Sequence, residues 1–125
     1  MDEIRRFIQT GLSGLQLSAV GVPQPDEMVQ DGETYFGYEL QENYRGSDMY
    51  NCYTMEVGIT GRLVRRNNTE ENTVEVLDLA LEELKEALKN MNIRYSYQDV
   101  SMGDNIRKIL VTGYCIYNEM TRTIM

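Results

Sequence analysis

The stretch Tyr50-Asn-Cys-Tyr-Thr-Met-Glu-Val-Gly-Ile-Thr-Gly-Arg-Leu-Val-Arg-Arg-Asn-Asn68 decides the reading of this chain. Its odd positions Tyr53, Met55, Val57, Ile59 and Leu63 are apolar, and its even positions Thr54, Glu56, Thr60 and Arg62 are polar. That is the period of two of a strand with one face toward a core and one toward something wetter. Gly58 and Gly61 inside it point to a bulge or to close approach by another backbone. The stretch ends in a basic cluster, Arg62, Arg65 and Arg66, followed by Asn67-Asn68. Nothing in it performs chemistry, so its meaning lies in what such a strand packs against.

Outward from this strand, "TYFGYEL" (34–40) reads as the preceding strand, with Phe36, Tyr38 and Leu40 on one face. "QENYRGSDM" (41–49) reads as a polar loop. Downstream, Leu77, Leu81, Leu84 and Leu88, with Val74, Ala80 and Ala87, form an apolar helical stripe. Glu75, Asp78, Glu82, Glu83, Lys85 and Glu86 lie off that stripe. Asn72 and Glu75 have capping-box spacing, and Lys85 and Lys89 close the helix in agreement with its dipole. "IRYSYQDV" (93–100) alternates again, and "SMGDN" is a turn. In "IRKILVTGYCIYNEM" (106–120), Ile109, Val111, Cys115 and Tyr117 share one face, while Leu110, Tyr114 and Ile116 share the other. A strand apolar on both faces is expected to be covered on both.

At the N-terminus, residues 2–17 read as a helix capped by Asp2, with Ile4, Phe7, Ile8, Leu12 and Leu15 on one face. Gly11 and Gly14 weaken its second half. Residues 18–33 read as a loop, because Pro23 and Pro25 oppose helix and Asp31-Gly32 signals a turn. The expected architecture is one α+β domain over residues 1–125, in the order α-β-β-α-β-β. It has a largely antiparallel four-stranded sheet with two helices packed on one face. Two helices cover one face of such a sheet, so the second face of the last strand calls for another cover, most simply a further copy of the chain.

Composition narrows function. The 125 residues carry a net charge of −8, with 42% hydrophobic and 26% charged residues. An acidic surface repels phosphate backbones and anionic membranes alike. No apolar run approaches the roughly 18 residues of a membrane span, and the N-terminus lacks a signal peptide's apolar core. The expected location is therefore the cytosol. There is no histidine, which removes the usual general base and the commonest metal ligand. Cys52 and Cys115 lack C-x-x-C spacing and read as buried reduced thiols. No phosphate-binding glycine loop is present, and Gly11–Leu15 is not a nucleophile elbow. The acidic cluster Asp26, Glu27, Asp31 and Glu33 lacks calcium-loop spacing, and the neighbouring pairs Glu70-Glu71 and Glu82-Glu83 point apart on a helix. No enzymatic activity, cofactor or metal is expected. Nine tyrosines without tryptophan suit half-wet surfaces such as subunit interfaces.

Taken in order, these elements resemble the tail terminator proteins of long-tailed bacteriophages, a family that in prophages includes minor capsid and tail-completion proteins. The resemblance rests on the N-terminal helix, the proline-containing loop and a strand pair whose second member is "YTMEVGITGR". The helix "TVEVLDLALEELKEAL" and the closing strands "YSYQDV" and "IRKILVTGYCIY" complete it. It implies a homo-oligomeric ring, a hexamer, that caps the tail tube, ends its growth and joins it to the head connector. The location implied is the host cytoplasm during assembly and then the virion neck. DNA would pass through the lumen without specific binding, and no membrane is involved. Arg62, Arg65 and Arg66, with Leu110, Tyr114 and Ile116, are the candidate contacts between subunits or with a partner. The arginines are expected to serve assembly and to leave the monomer's stability untouched. Two alternatives stand beside this: a small acidic monomeric or dimeric binding module of adaptor or immunity type, and another phage neck or tube subunit.

Overall fold

The computed structural model describes residues 2–21, 25, 28–48, 52–66, 73–102 and 106–124. Its elements are α1 (Asp2–Leu12), β1 (Ser18–Val20), β2 (Thr34–Asp48), β3 (Cys52–Arg66), α2 (Thr73–Asn90), β4 (Arg94–Met102), β5 (Ile106–Asn118) and β6 (Thr123–Ile124). The chain is α+β, with a mostly antiparallel sheet and two helices. The strands lie in the order β1-β2-β3-β5-β4, and β6 pairs with β5 off this path.

β3 is the centre. It pairs antiparallel with β2 from Thr34↔Arg65 to Asp48↔Cys52, and with β5 from Thr54↔Asn118 to Arg66↔Ile106. Because both partners are in register with it, its alternation is imposed on the whole sheet. Leu63 stands between Phe36 and Ile109, Ile59 between Leu40 and Gly113, and Val57 between Glu42 and Cys115. This face carries the main core, into which Ile4, Ile8 and Leu12 of α1 and Leu77, Leu81, Leu84 and Leu88 of α2 pack. Both helices therefore lie on one side, and each fully buried leucine contributes on the order of 1.5–3 kcal/mol.

Four expectations change. Residues 18–33 are not all loop: β1 adds to β2 as a short parallel strand, Ser18↔Tyr35 to Val20↔Gly37. With β6, the sheet exceeds the expected four strands. Three-residue and two-residue strands have too little length for alternation to reveal them. Residues 41–48 are not a loop but the second half of β2, paired with β3 across a register shift between Arg45 and Ser47. Gln41, Glu42 and Asn43 are exposed there, so polar side chains carry no penalty and the hydrophobic signal vanishes while the ladder continues. α1 ends at Leu12, and Phe7, expected on its buried face, is 45% exposed.

Two glycines are explained by contact. A Cβ at Gly61 would collide with the ring of Phe36, which lies across β3 and stacks on Tyr38 at 5.6 Å between centroids. The approach is by a ring, not a backbone, and the register is regular at Gly58 and Gly61. A Cβ at Gly11 would collide with the Met91 thioether, so the glycine that weakens α1 also lets it sit close to the end of α2.

α2 closes by a motif that the leucine stripe does not announce. Asn92 has φ 62°, its N–H donates to the Lys89 carbonyl at 2.9 Å, and Ile93 N–H donates to the Leu88 carbonyl at 2.9 Å. This is a Schellman cap with asparagine in the left-handed position, and Ile93 and Leu88 are both buried in the core. The cap turns the chain straight into β4. The expected turn 101–105 is shorter, because Ser101 and Met102 continue β4, paired with Arg107 and Ile106. Expectations at Asp2, Cys52, Tyr53, Asn72 and Val74, at residues 103–105, and at Pro23, Asp26, Glu27, Glu70 and Glu71 lie outside the described residues or side chains.

Leu84→Ala should lower unfolding free energy by about 2–5 kcal/mol, because Leu84 is fully buried in the helix–sheet core. Glu82→Ala, on the exposed face, should change it by less than about 1 kcal/mol. Gly61→Val should cost about 1–3 kcal/mol by displacing Phe36. Urea titration of the three variants checks the ordering.

Candidate functional site

The side of β3 opposite the helices is partly open among the described residues. Register places Arg62 beside Leu110 and Gln98, Thr60 beside Glu39, Thr112 and Ser96, and Gly58 beside Gln41, Tyr114 and Arg94. Glu56 stands between Asn43 and Ile116. One end is closed by a small second cluster in which Val29 packs on Tyr35 and Val64, with Val20 and Ile106 beside it. Leu110 and Tyr114 are each 38% exposed, and Ile116 is half-buried. The Tyr114 hydroxyl donates to Glu56 Oε1 at 3.0 Å, which ties β5 to β3 across the open face. The expectation that β5 is apolar on both faces holds. Among the described residues, the 29–35 region covers one end of the second face.

The arginines do not form one patch. Arg62 lies on the open face, half-buried beside Leu110. Arg65 has the opposite parity, is only 5% exposed, and donates from Nη1 to Thr34 Oγ1 at 2.7 Å. It forms part of a cleft of about 610 Å³ with Gln16, Glu33, Leu79 and Glu83. Arg66 holds the preceding loop to the strand end. Its Nη1 donates to the Val29 carbonyl at 2.9 Å, and its Nε lies 3.6 Å from Asp31. Its main chain donates to the Glu33 carbonyl at 3.3 Å and accepts from Gly32 N–H at 3.0 Å. Arg65 and Arg66 are thus built into the monomer, contrary to the expectation that they leave its stability untouched. The signal was available: Arg65 shares the odd parity of the core residues Ile59 and Leu63, so it had to point into the helix side.

Other described polar groups make structural contacts. Lys85 donates to Glu82 Oε1 at 3.1 Å and to the Tyr97 hydroxyl at 3.4 Å, and sits 4.4 Å from that ring's centroid. Its pKa is raised, first by the hydrogen bond to Glu82. Tyr117 donates to Glu3 Oε2 at 3.1 Å, tying β5 to α1. Burial pushes the Cys115 thiol up to about 11, so at neutral pH it is a protonated core group and not a nucleophile. Among the described residues no group of three or more Cys, Asp or Glu side chains is placed to hold a metal ion. No described helix is long and apolar enough to cross a membrane. No protein-family model matches the chain, and no curated protein matches it in sequence.

Arg65→Glu should destabilise the monomer by about 2–5 kcal/mol, since it buries a carboxylate where a hydrogen-bonded guanidinium sat. Arg62→Glu should cost no more than about 1 kcal/mol. Thermal melts of the two variants decide whether parity governs this cluster. In a Cys52→Ser background, Cys115 should resist thiol alkylation at pH 8 while folded and react once unfolded. Fast labelling of the folded protein would contradict its burial.

Proposed function

We propose that this chain is a structural subunit of a phage or prophage tail neck, of tail-terminator type. It assembles as a ring that caps the tail tube, ends its elongation and meets the head connector. The observation that carries the reading is the open sheet face, where Leu110, Tyr114 and Ile116 form an apolar centre in a polar frame. A strand with apolar residues on both sides is stable against water only when something covers the second side. Arg62 at the margin of this face remains a candidate contact, and Arg65 and Arg66 act chiefly within the fold. The partners in this reading are further copies of the chain, hexameric by the family resemblance, together with the tube protein and the connector. DNA passes through the lumen. The acidic balance suits a lumen that does not hold DNA. In this reading the protein has no catalytic activity and no cofactor.

A second reading is an acidic binding module. Glu75, Asp78, Glu82 and Glu86 are exposed along the outer side of α2 and would suit a basic partner. A third, another neck or tube subunit, shares the ring.

Sedimentation and negative-stain imaging of concentrated protein separate the two ring readings from the binding module. A ring subunit should sediment as a closed oligomer and appear as annular particles. A protein that stays monomeric across the accessible concentration range would favour the binding module.

A further inference from the structure

The sheet ends in two unlike edges. On one side β1 pairs with β2 only at Tyr35–Gly37, so from Tyr38 onward no described strand lies outside β2. On the other side β4 pairs with β5 as far as Tyr114, and β6 resumes pairing only at Tyr117. Among the described strands, Cys115 and Ile116 therefore lack an outer neighbour. A cleft of about 570 Å³ opens at this gap, walled by Lys89, Arg94, Tyr95, Tyr114 and Ile116. No carboxylate appears among its described lining residues, in a chain whose net charge is −8. The outer edge of β2 has the opposite character: Glu39 and Glu42 are both exposed along it.

We propose that this basic cleft receives the Glu39–Glu42 edge of β2 from a second copy of the chain. The proposal rests on the ring reading above and specifies the seam. The direction of the strands supports it. The pairings β2–β3, β3–β5 and β5–β4 are all antiparallel, so β2 and β4 run in opposite directions. A copy added in the same orientation then brings its β2 antiparallel to β4 and keeps its helices on the same side of a continuous sheet. The faces also match. Arg94, in register with Tyr114, and Glu39, in register with Thr60, both belong to the open face. Glu42, in register with Val57, belongs to the helix side, where Lys89 stands in the last turn of α2. Half-buried Leu40 and 38%-exposed Tyr95 share that side and the same level of the sheet, through Ile59 and Gly113. Open strand edges supply main-chain hydrogen bonds, and the charges select which edge joins which. Two different edges make a heterologous contact, which closes into a ring when the rotation from copy to copy completes a full turn. The open face would then run unbroken from copy to copy and be left for the partner.

The test uses two charge-reversed full-length proteins, Lys89→Glu with Arg94→Glu, and Glu39→Lys with Glu42→Lys. All four side chains are exposed, so each protein should keep a cooperative melt near that of the wild type. Alone, each should show self-association weakened about tenfold or more by sedimentation, because acid now faces acid or base faces base. Mixed in equal amounts, they should assemble again, alternating around the ring. Either variant assembling alone like the wild type, or a mixture that stays dissociated, overturns the seam while the wild-type ring stands. A wild type that is monomeric throughout overturns the ring and the seam together.

Discussion

The constraint on which this structure depends is that β3 is hydrogen-bonded along both edges. A strand with one partner can slip by a residue at modest cost. A strand held between two partners cannot, because a slip would move every side chain of three strands to the wrong face. Val57, Ile59 and Leu63 thereby fix where Phe36, Ile109, Val111 and Cys115 must point, and the two helices follow onto that side. The same rule carries Arg65 inward and Arg62 outward from what reads in sequence as one basic cluster.

The helical layer is joined to this sheet at points where bulk must be absent or a turn must be tight. Gly11 gives way to Met91, and Gly61 gives way to Phe36. Asn92 allows α2 to stop and reverse within three residues, so that Ile93 reaches the core directly below Leu88. Tyr117 and Glu3 add a hydrogen bond between the N-terminal helix and the last long strand. At Asn92 local and global preferences agree, while at Gly11 and Gly61 a local propensity cost is offset by the packing it permits.

Among the described residues, one side of the sheet has a layer of helices and the other has the short segment around Val29. That asymmetry gives the protein an unequal pair of surfaces, and its two sheet edges are unequal as well. In the proposed reading these unequal surfaces and edges are where neighbouring subunits and partners meet the chain. The chain has no histidine, and burial holds the Cys115 thiol protonated at neutral pH.

The sequence alone determined the main strands, the helices and the core side of nearly every element, because periods of two and 3.6 leave a readable trace wherever one face is dry. The leucines of α2 and the two-faced character of β5 were legible for that reason. The polar half of β2 was not, since a ladder that extends beyond the helices needs no apolar face. β1 and β6 are too short to show any period, and the site of the arginines was legible only to a reader who applied parity to charged residues as strictly as to apolar ones. Tertiary structure alone decided what stands beside what. It brought Arg94 and Lys89 to one cleft at the start of β4, set Tyr114 beside Gly58, and left β2 beyond Gly37 without an outer neighbour among the described strands. These are contacts between residues far apart in the chain. They depend on strand order, which is set by packing of the whole sheet and leaves no local pattern to read.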